Sequence, residues 1–148
     1  MVLWHRASFI FIIVKSDIGE KFLIQERTMN KDYCPGCYDL TTGGVFSPDE
    51  DHTINAVREL EEETGLTVED PYDYCELMEY GWLKYVDPFS KCWASLYLFR
   101  TTQEKVNKEL KLQEEEVKSV EFWTKEEIID RIAKQKKELK EGEQAKPG

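Results

Sequence analysis

Ala7 to Val14 is apolar at nearly every position, so a strand formed there can leave neither face in water. It belongs inside a sheet covered on both sides. The run is shorter than the roughly 18 residues that span a bilayer. It also lacks the small-residue cleavage site of a signal peptide. Lys21 to Arg27 reads as a second, shorter strand, and Thr28 to Gly36 as a polar connection carrying the turn signal Pro35-Gly36. A short segment, Asp39 to Thr42, leads to Gly43-Gly44 and a loop through Pro48.

From about His52 to Thr64 the pattern turns helical, with Gly65 placed to cap the end. Strands are expected again around Tyr72 to Tyr80, Cys92 to Thr101 and Val117 to Trp123. Thr124 with Glu127 three residues later makes a capping box that opens a last helix, expected to fade from Gln135 onward. The elements predict an α/β or α+β class, a mixed sheet flanked by helices. At 148 residues, without internal repeats, the chain reads as a single domain over residues 1–140, with 141–148 as a disordered tail.

Charge narrows the partners. A net charge of −10 disfavours a nucleic-acid scaffold or an anionic membrane surface, both of which need clustered Lys and Arg. A polyanionic ligand would need local cations or bound metal to mask this field. Cys34, Cys37, Cys75 and Cys92 are expected to be free thiols in a reducing compartment, with the cytoplasm as the default. Cys34 and Cys37 bracket a turn. A zinc site would require two further ligands, and a thioredoxin-like pair would require a helix N-terminus, so the pair reads as incidental.

The chemistry is concentrated between Gly44 and Leu66. Glu59, Glu62 and Glu63 stand at i, i+3 and i+4 of the predicted helix, so their carboxylates share one face. Ile54, Val57 and Leu60 are expected to anchor the opposite side on the core. Like charges so placed repel by roughly 0.2–0.5 kcal/mol per pair, and a divalent cation would relieve them. A glutamate run alone is more often a solvated helix face. What overturns that reading is the frame: Gly44, five residues, Glu50, seven residues, then Arg58-Glu59-Leu60-Glu61-Glu62-Glu63-Thr64-Gly65-Leu66.

This pattern resembles the complete Nudix box, with every fixed position filled. The resemblance implies an α/β/α sandwich with a mixed sheet, and Mg²⁺-dependent hydrolysis of a diphosphate linkage in a small molecule, such as a nucleoside diphosphate linked to a further group. Carried over by position, Glu62 and Glu63 would be metal ligands and Glu59 a ligand or the general base. The Gly43 carbonyl would be a further ligand, with Mn²⁺ able to substitute for Mg²⁺. Arg58 and Glu50 would hold the helix and its carboxylates, as ligands need an orienting outer shell. Glu116, in the acidic stretch before Val117, is the other candidate base.

Outside the box, Gln25-Glu26-Arg27, Lys31-Asp32, Pro35-Gly36 and Asp39 resemble the Nudix branch nearest to isopentenyl-diphosphate isomerases, and His5-Arg6 does so more weakly. There Arg27 and Lys31 would bind the diphosphate, one as a fork and one as a point charge. An isomerase itself is disfavoured, because its cysteine before the box is replaced here by Thr41-Thr42-Gly43-Gly44 and the chain has only two His. A Nudix-fold binding module without catalysis is the other alternative, and the intact Glu59, Glu62 and Glu63 speak against it. Trp82, Tyr85, Phe89 and Trp93 are read as packing in the core rather than stacking on a base. The expected partner is a small-molecule diphosphate, with a homodimer left open.

Overall fold

The computed structural model describes residues 4–30, 34–47, 49–86, 88 and 91–145, with the backbone alone for 143–145. Lys31 and Phe89 lie outside the described residues. The elements run β1 (Trp4–Ser16), β2 (Gly19–Arg27), β3 (Tyr38–Asp39), β4 (Thr42–Val45), α1 (His52–Thr64), β5 (Leu77–Val86), β6 (Lys91–Thr102), α2 (Gln103–Glu109), β7 (Val117–Trp123) and α3 (Lys125–Ala145).

The strands form one sheet in the order β3-β2-β1-β6-β5, with β4 also paired to β1 and β7 to β2. β1 runs parallel to β6 and every other pairing is antiparallel, so the sheet is mixed as expected. β1 sits at its centre because it can bury both faces. On one face Ile10, Ile12 and Val14 join Leu23, Leu77, Tyr97 and Phe99 against Ala56 and Leu60 of α1, Leu66 and Val106 of α2. Phe122 also packs against that cluster, so its neighbour Trp123 points to the other face. There the Arg131 guanidinium of α3 lies 3.9 Å from the Trp123 ring, and Tyr38 meets the same ring edge-on. Helices on both faces make the α/β/α sandwich. No helix among the described residues is long and apolar enough to cross a membrane.

Four local expectations are corrected. The helix face is rotated: Ile54 is 47% exposed, while Asn55, Ala56, Leu60 and Thr64 are buried. Tyr72 and Tyr74 are not in a strand. Asp70 and Asp73 side chains capture the backbone N–H groups of Tyr72 and Cys75, turning the chain so that β5 starts only at Leu77. Trp82, Tyr85 and Trp93 are not core residues: Trp82 and Tyr85 stand on the outer strand β5 and Trp93 on β6 beside it, 52%, 37% and 44% exposed. The last helix continues past Gln135 to Ala145.

Candidate functional site

The site begins with the ends of α1. Asp51 caps its start, Oδ1 accepting from the N–H groups of Thr53 at 3.0 Å and Ile54 at 3.2 Å. Gly65, at φ 78°, closes the other end by donating to the Glu61 carbonyl. With both ends fixed, tertiary contacts choose the rotation. Asn55 is fully buried, accepting from the Ser8 hydroxyl at 2.7 Å and donating to the Val45 carbonyl at 3.3 Å. One side chain thus ties α1 to β1 and β4. It turns the row Asn55, Glu59, Glu63, spaced four residues apart, toward β4 instead of away from the core.

β4 meets this row at Gly43 and Gly44. A Cβ on Gly43 would stand 1.8 Å from the Ser8 carbonyl oxygen, so only glycine allows β4 this close to β1. A Cβ on Gly44 would stand 2.5 Å from Cδ of Glu59, so the missing side chain is the space the Glu59 carboxylate occupies. Glu63 Oε2 accepts from the Thr42 hydroxyl and, at 3.4 Å, from the Gly43 N–H.

Arg58 binds the remaining carboxylates. It reaches Glu50 at 3.0 Å, Glu59 at 3.2 Å and Glu62 at 3.2 Å. Its hydrogen bonds hold the Glu50 carboxyl below the ordinary range. Glu62 remains 53% exposed on the outer side of the helix, apart from the row facing β4. Burial pushes Glu59 up, with Glu62 and Glu50 adding to it and Arg58 opposing. Burial also pushes Glu63 up to about 7, against the Thr42 and Gly43 donors, with the charges of Glu59 and Glu116 adding to it.

Beside Glu63 lies a cavity of about 160 Å³ lined by Phe9, Gln25, Arg27, Asp39, Thr41, Thr42, Gly43, Glu63, Glu116 and Val117. Of the residues singled out in the sequence, the fold therefore brings Arg27, Gly43, Glu63 and Glu116 to one place. Glu59 adjoins them across Gly44, and Glu50 and Glu62 gather on Arg58. Arg27 Nη1 binds Asp39 Oδ2 at 3.1 Å, which fixes the guanidinium at the cavity wall. Glu116 arrives because its loop is stitched to the end of β2: Thr28 donates to the Glu115 carbonyl by its hydroxyl and to the Glu116 carbonyl by its N–H. Asn55 and Thr42 carry structural weight here that their residue types alone did not announce. The signal for Asn55 was available in its position four residues before Glu59.

Among the described residues, no three acidic, His or Cys side chains stand close enough together to cage a metal unaided. Mg²⁺ is ordinarily held by one or two carboxylates, with substrate phosphates and water completing its octahedron. The donor set fits that partial shell. Glu59 and Glu63 offer carboxylate oxygens on adjacent turns, both short of water, both raised by burial and by like charge. Glycine leaves the backbone beside them open to close approach.

The sequence matches the family model described as NUDIX domain over residues 4–142. It is 36% identical over 129 residues to "Uncharacterized Nudix hydrolase YfcD" of Escherichia coli (strain K12), covering 87% of this chain and 64% of that protein. The chain thus spans somewhat less than two thirds of that relative's length. In architecture it resembles a NUDIX hydrolase from Alicyclobacillus acidocaldarius, with TM-score 0.69, 16% identity, and coverage of 90% of this chain and 85% of the other. It also resembles the MutT protein of Methanosarcina mazei Go1, with TM-score 0.67, 22% identity, and coverage of 87% and 83%. Box residues, mixed sheet and helix-bound carboxylates agree with these likenesses, and the chain belongs to the Nudix hydrolase family.

Proposed function

We propose that this chain is a Mg²⁺-dependent pyrophosphohydrolase, which cleaves a diphosphate linkage in a nucleoside-diphosphate compound or similar small molecule by attack of water on phosphorus. The observation that carries this reading is the juxtaposition of the Arg27 guanidinium with Glu63 and Glu116 in one cavity, with Glu59 beside them. A chain of net charge −10 holds a fixed cation at the wall where an anion would enter. The cavity is smaller than the roughly 300–1,000 Å³ that encloses a drug-sized ligand. It suits a phosphoryl group, with the remainder of the substrate lying outside.

When bound, Mg²⁺ would neutralise charge on the diphosphate and make water acidic enough to attack at neutral pH. Glu59, Glu62, Glu63 and the Gly43 carbonyl would hold it. Arg58 keeps Glu59 and Glu62 in place while Glu50 keeps Arg58 in place, so the ligand face is ordered from behind. Arg27, oriented by Asp39, would bind phosphoryl oxygens, with Lys31 as a second cation. Glu116 or Glu59 would take the proton from the attacking water.

The experiment is a screen of diphosphate compounds with Mg²⁺, reading phosphate-containing products, repeated in EDTA and with Mn²⁺. Hydrolysis should require the metal. Glu62→Gln should lower it about a hundredfold, about 3 kcal/mol of transition-state stabilisation, while leaving the melting temperature nearly unchanged. Full activity in EDTA, or a wild-type rate for Glu62→Gln, refutes the assignment.

A further inference from the structure

β2 carries side chains of changing character along one face. Leu23 is 2% exposed in the apolar core, Gln25 follows two residues later at 4%, and Arg27 opens onto the cavity. Alternate residues of a strand share a face, so these three form one row running from the core to the site. β2 is covered on both edges here, Gln25 lying opposite Asp39 of β3 and Val120 of β7. Nothing about packing requires an amide at Gln25, where the pattern set by Leu23 would accept an apolar side chain.

Among the described residues, two buried nitrogens in this row have no hydrogen-bond partner, Gln25 Nε2 and Arg27 Nε. Arg27 uses Nη1 on Asp39, which leaves Nε beside the cavity. Buried donors without an acceptor are costly in a folded protein and accordingly rare. Both residues line the same cavity, so a single ligand can answer both. That ligand must offer acceptors to two neighbouring donors, suit a guanidinium, and fit about 160 Å³. A phosphoryl group meets all three conditions, since its oxygens are acceptors and carry negative charge.

We propose that Gln25 is a substrate-binding residue whose Nε2 donates to a phosphoryl oxygen, working with Arg27 as a donor pair on one face of β2. The inference rests on the reading that the substrate is a diphosphate. It adds a neutral contact that the charge pattern of the sequence does not reveal. Phe9, Thr41 and Thr42 shape the same cavity, and the carboxylates of Glu63 and Glu116 lie across it. The amide therefore favours an acceptor-rich anion without adding charge to a site already crowded with it.

The test is calorimetric binding of methylenediphosphonate, which resists hydrolysis, to the whole chain with Mg²⁺ present. Wild type is compared with Gln25→Met and Gln25→Glu. Gln25→Met should bind about tenfold or more weakly, the usual effect of losing a hydrogen bond to a charged group. Its unfolding temperature should stay level or rise, because an unpaired buried donor is gone. Gln25→Glu, with the same shape and no donor, should bind more weakly still. In ¹⁵N spectra the Gln25 side-chain amide, identified by its loss in Gln25→Met, should move when the probe is added to wild type. If wild type binds and hydrolyses diphosphates while both variants bind equally well and that amide does not move, the role of Gln25 is overturned and the proposed function stands. If wild type neither binds the probe nor hydrolyses any diphosphate, both fall together.

Discussion

Glu63 allows the crowding of charge in this site to be measured as stability. Burial and the neighbouring Glu59 and Glu116 raise its carboxyl from 4.5 to about 7 in the folded, metal-free chain. A raised carboxyl means that the folded state holds its proton over a range where the unfolded chain has released it. Its contribution is fully present below pH 4.5 and is lost as pH rises through about 7. At about 1.4 kcal/mol per pH unit, the gap corresponds to about 3.5 kcal/mol, and about 2.5 kcal/mol of it develops between about pH 5 and about pH 8.

Glu63→Gln removes the charge and keeps an oxygen that can accept from Thr42 and Gly43. The variant should therefore gain on wild type as pH rises, ending about 2–3 kcal/mol more stable near pH 8. The assay is urea unfolding in EDTA at a series of pH values, followed by tryptophan fluorescence, with the two chains compared at each pH. Taking the difference cancels carboxylates common to both. A difference that stays constant from about pH 5 to about pH 8, or that favours wild type at high pH, would falsify the claim that Glu63 is a desolvated, crowded carboxylate.

Gly44→Ala separates the site from the fold in the opposite way. The new Cβ meets the end of a flexible side chain, Glu59, rather than backbone, so unfolding by urea should shift by less than about 1 kcal/mol. Metal-dependent hydrolysis should drop sharply as Glu59 is displaced, and an unimpaired rate would show that Glu59 is not needed where it lies. Glu59→Gln and Glu116→Gln distinguish ligand from base in a Mg²⁺ titration at saturating substrate. The expected result is partial rescue of Glu59→Gln by high metal, and loss of kcat in Glu116→Gln, about 10²- to 10⁴-fold, that metal does not restore. Normal kcat in Glu116→Gln removes that loop from the reaction.

Features that depend on near neighbours are legible in chain order. The bounds of α1 follow from a capping aspartate, a four-residue hydrogen-bond ladder and a terminal glycine, all local. The start of α3 follows from Thr124 and Glu127, whose reciprocal hydrogen bonds span three residues. The buried character of β1 is written in its run of apolar side chains. The box residues are legible for the same reason, since their spacing lies within one loop and helix. α2 leaves no periodic signal in the sequence, because its seven residues, about two turns, are mostly polar and bury only Val106.

Which way these elements face depends on contacts between segments far apart in the chain. The rotation of α1 is set by Asn55 reaching Ser8, 47 residues away, and by Val45 across the loop. No periodicity within the helix contains that contact, so the spacing predicts a core position for Ile54 and the fold leaves it exposed. The same applies to β4, whose four residues form a strand only because β1 offers them a partner. Gln25 belongs to the Gln25-Glu26-Arg27 likeness but has no role in it until β3 and β7 enclose it and the cavity gives its amide a direction. Helix ends are set by hydrogen bonds a few residues apart, and chain order records those. Faces and cavities are set by side chains that meet only after the sheet has formed, which is why the pairing of Gln25 with Arg27 as donors on one cavity is seen only in the fold.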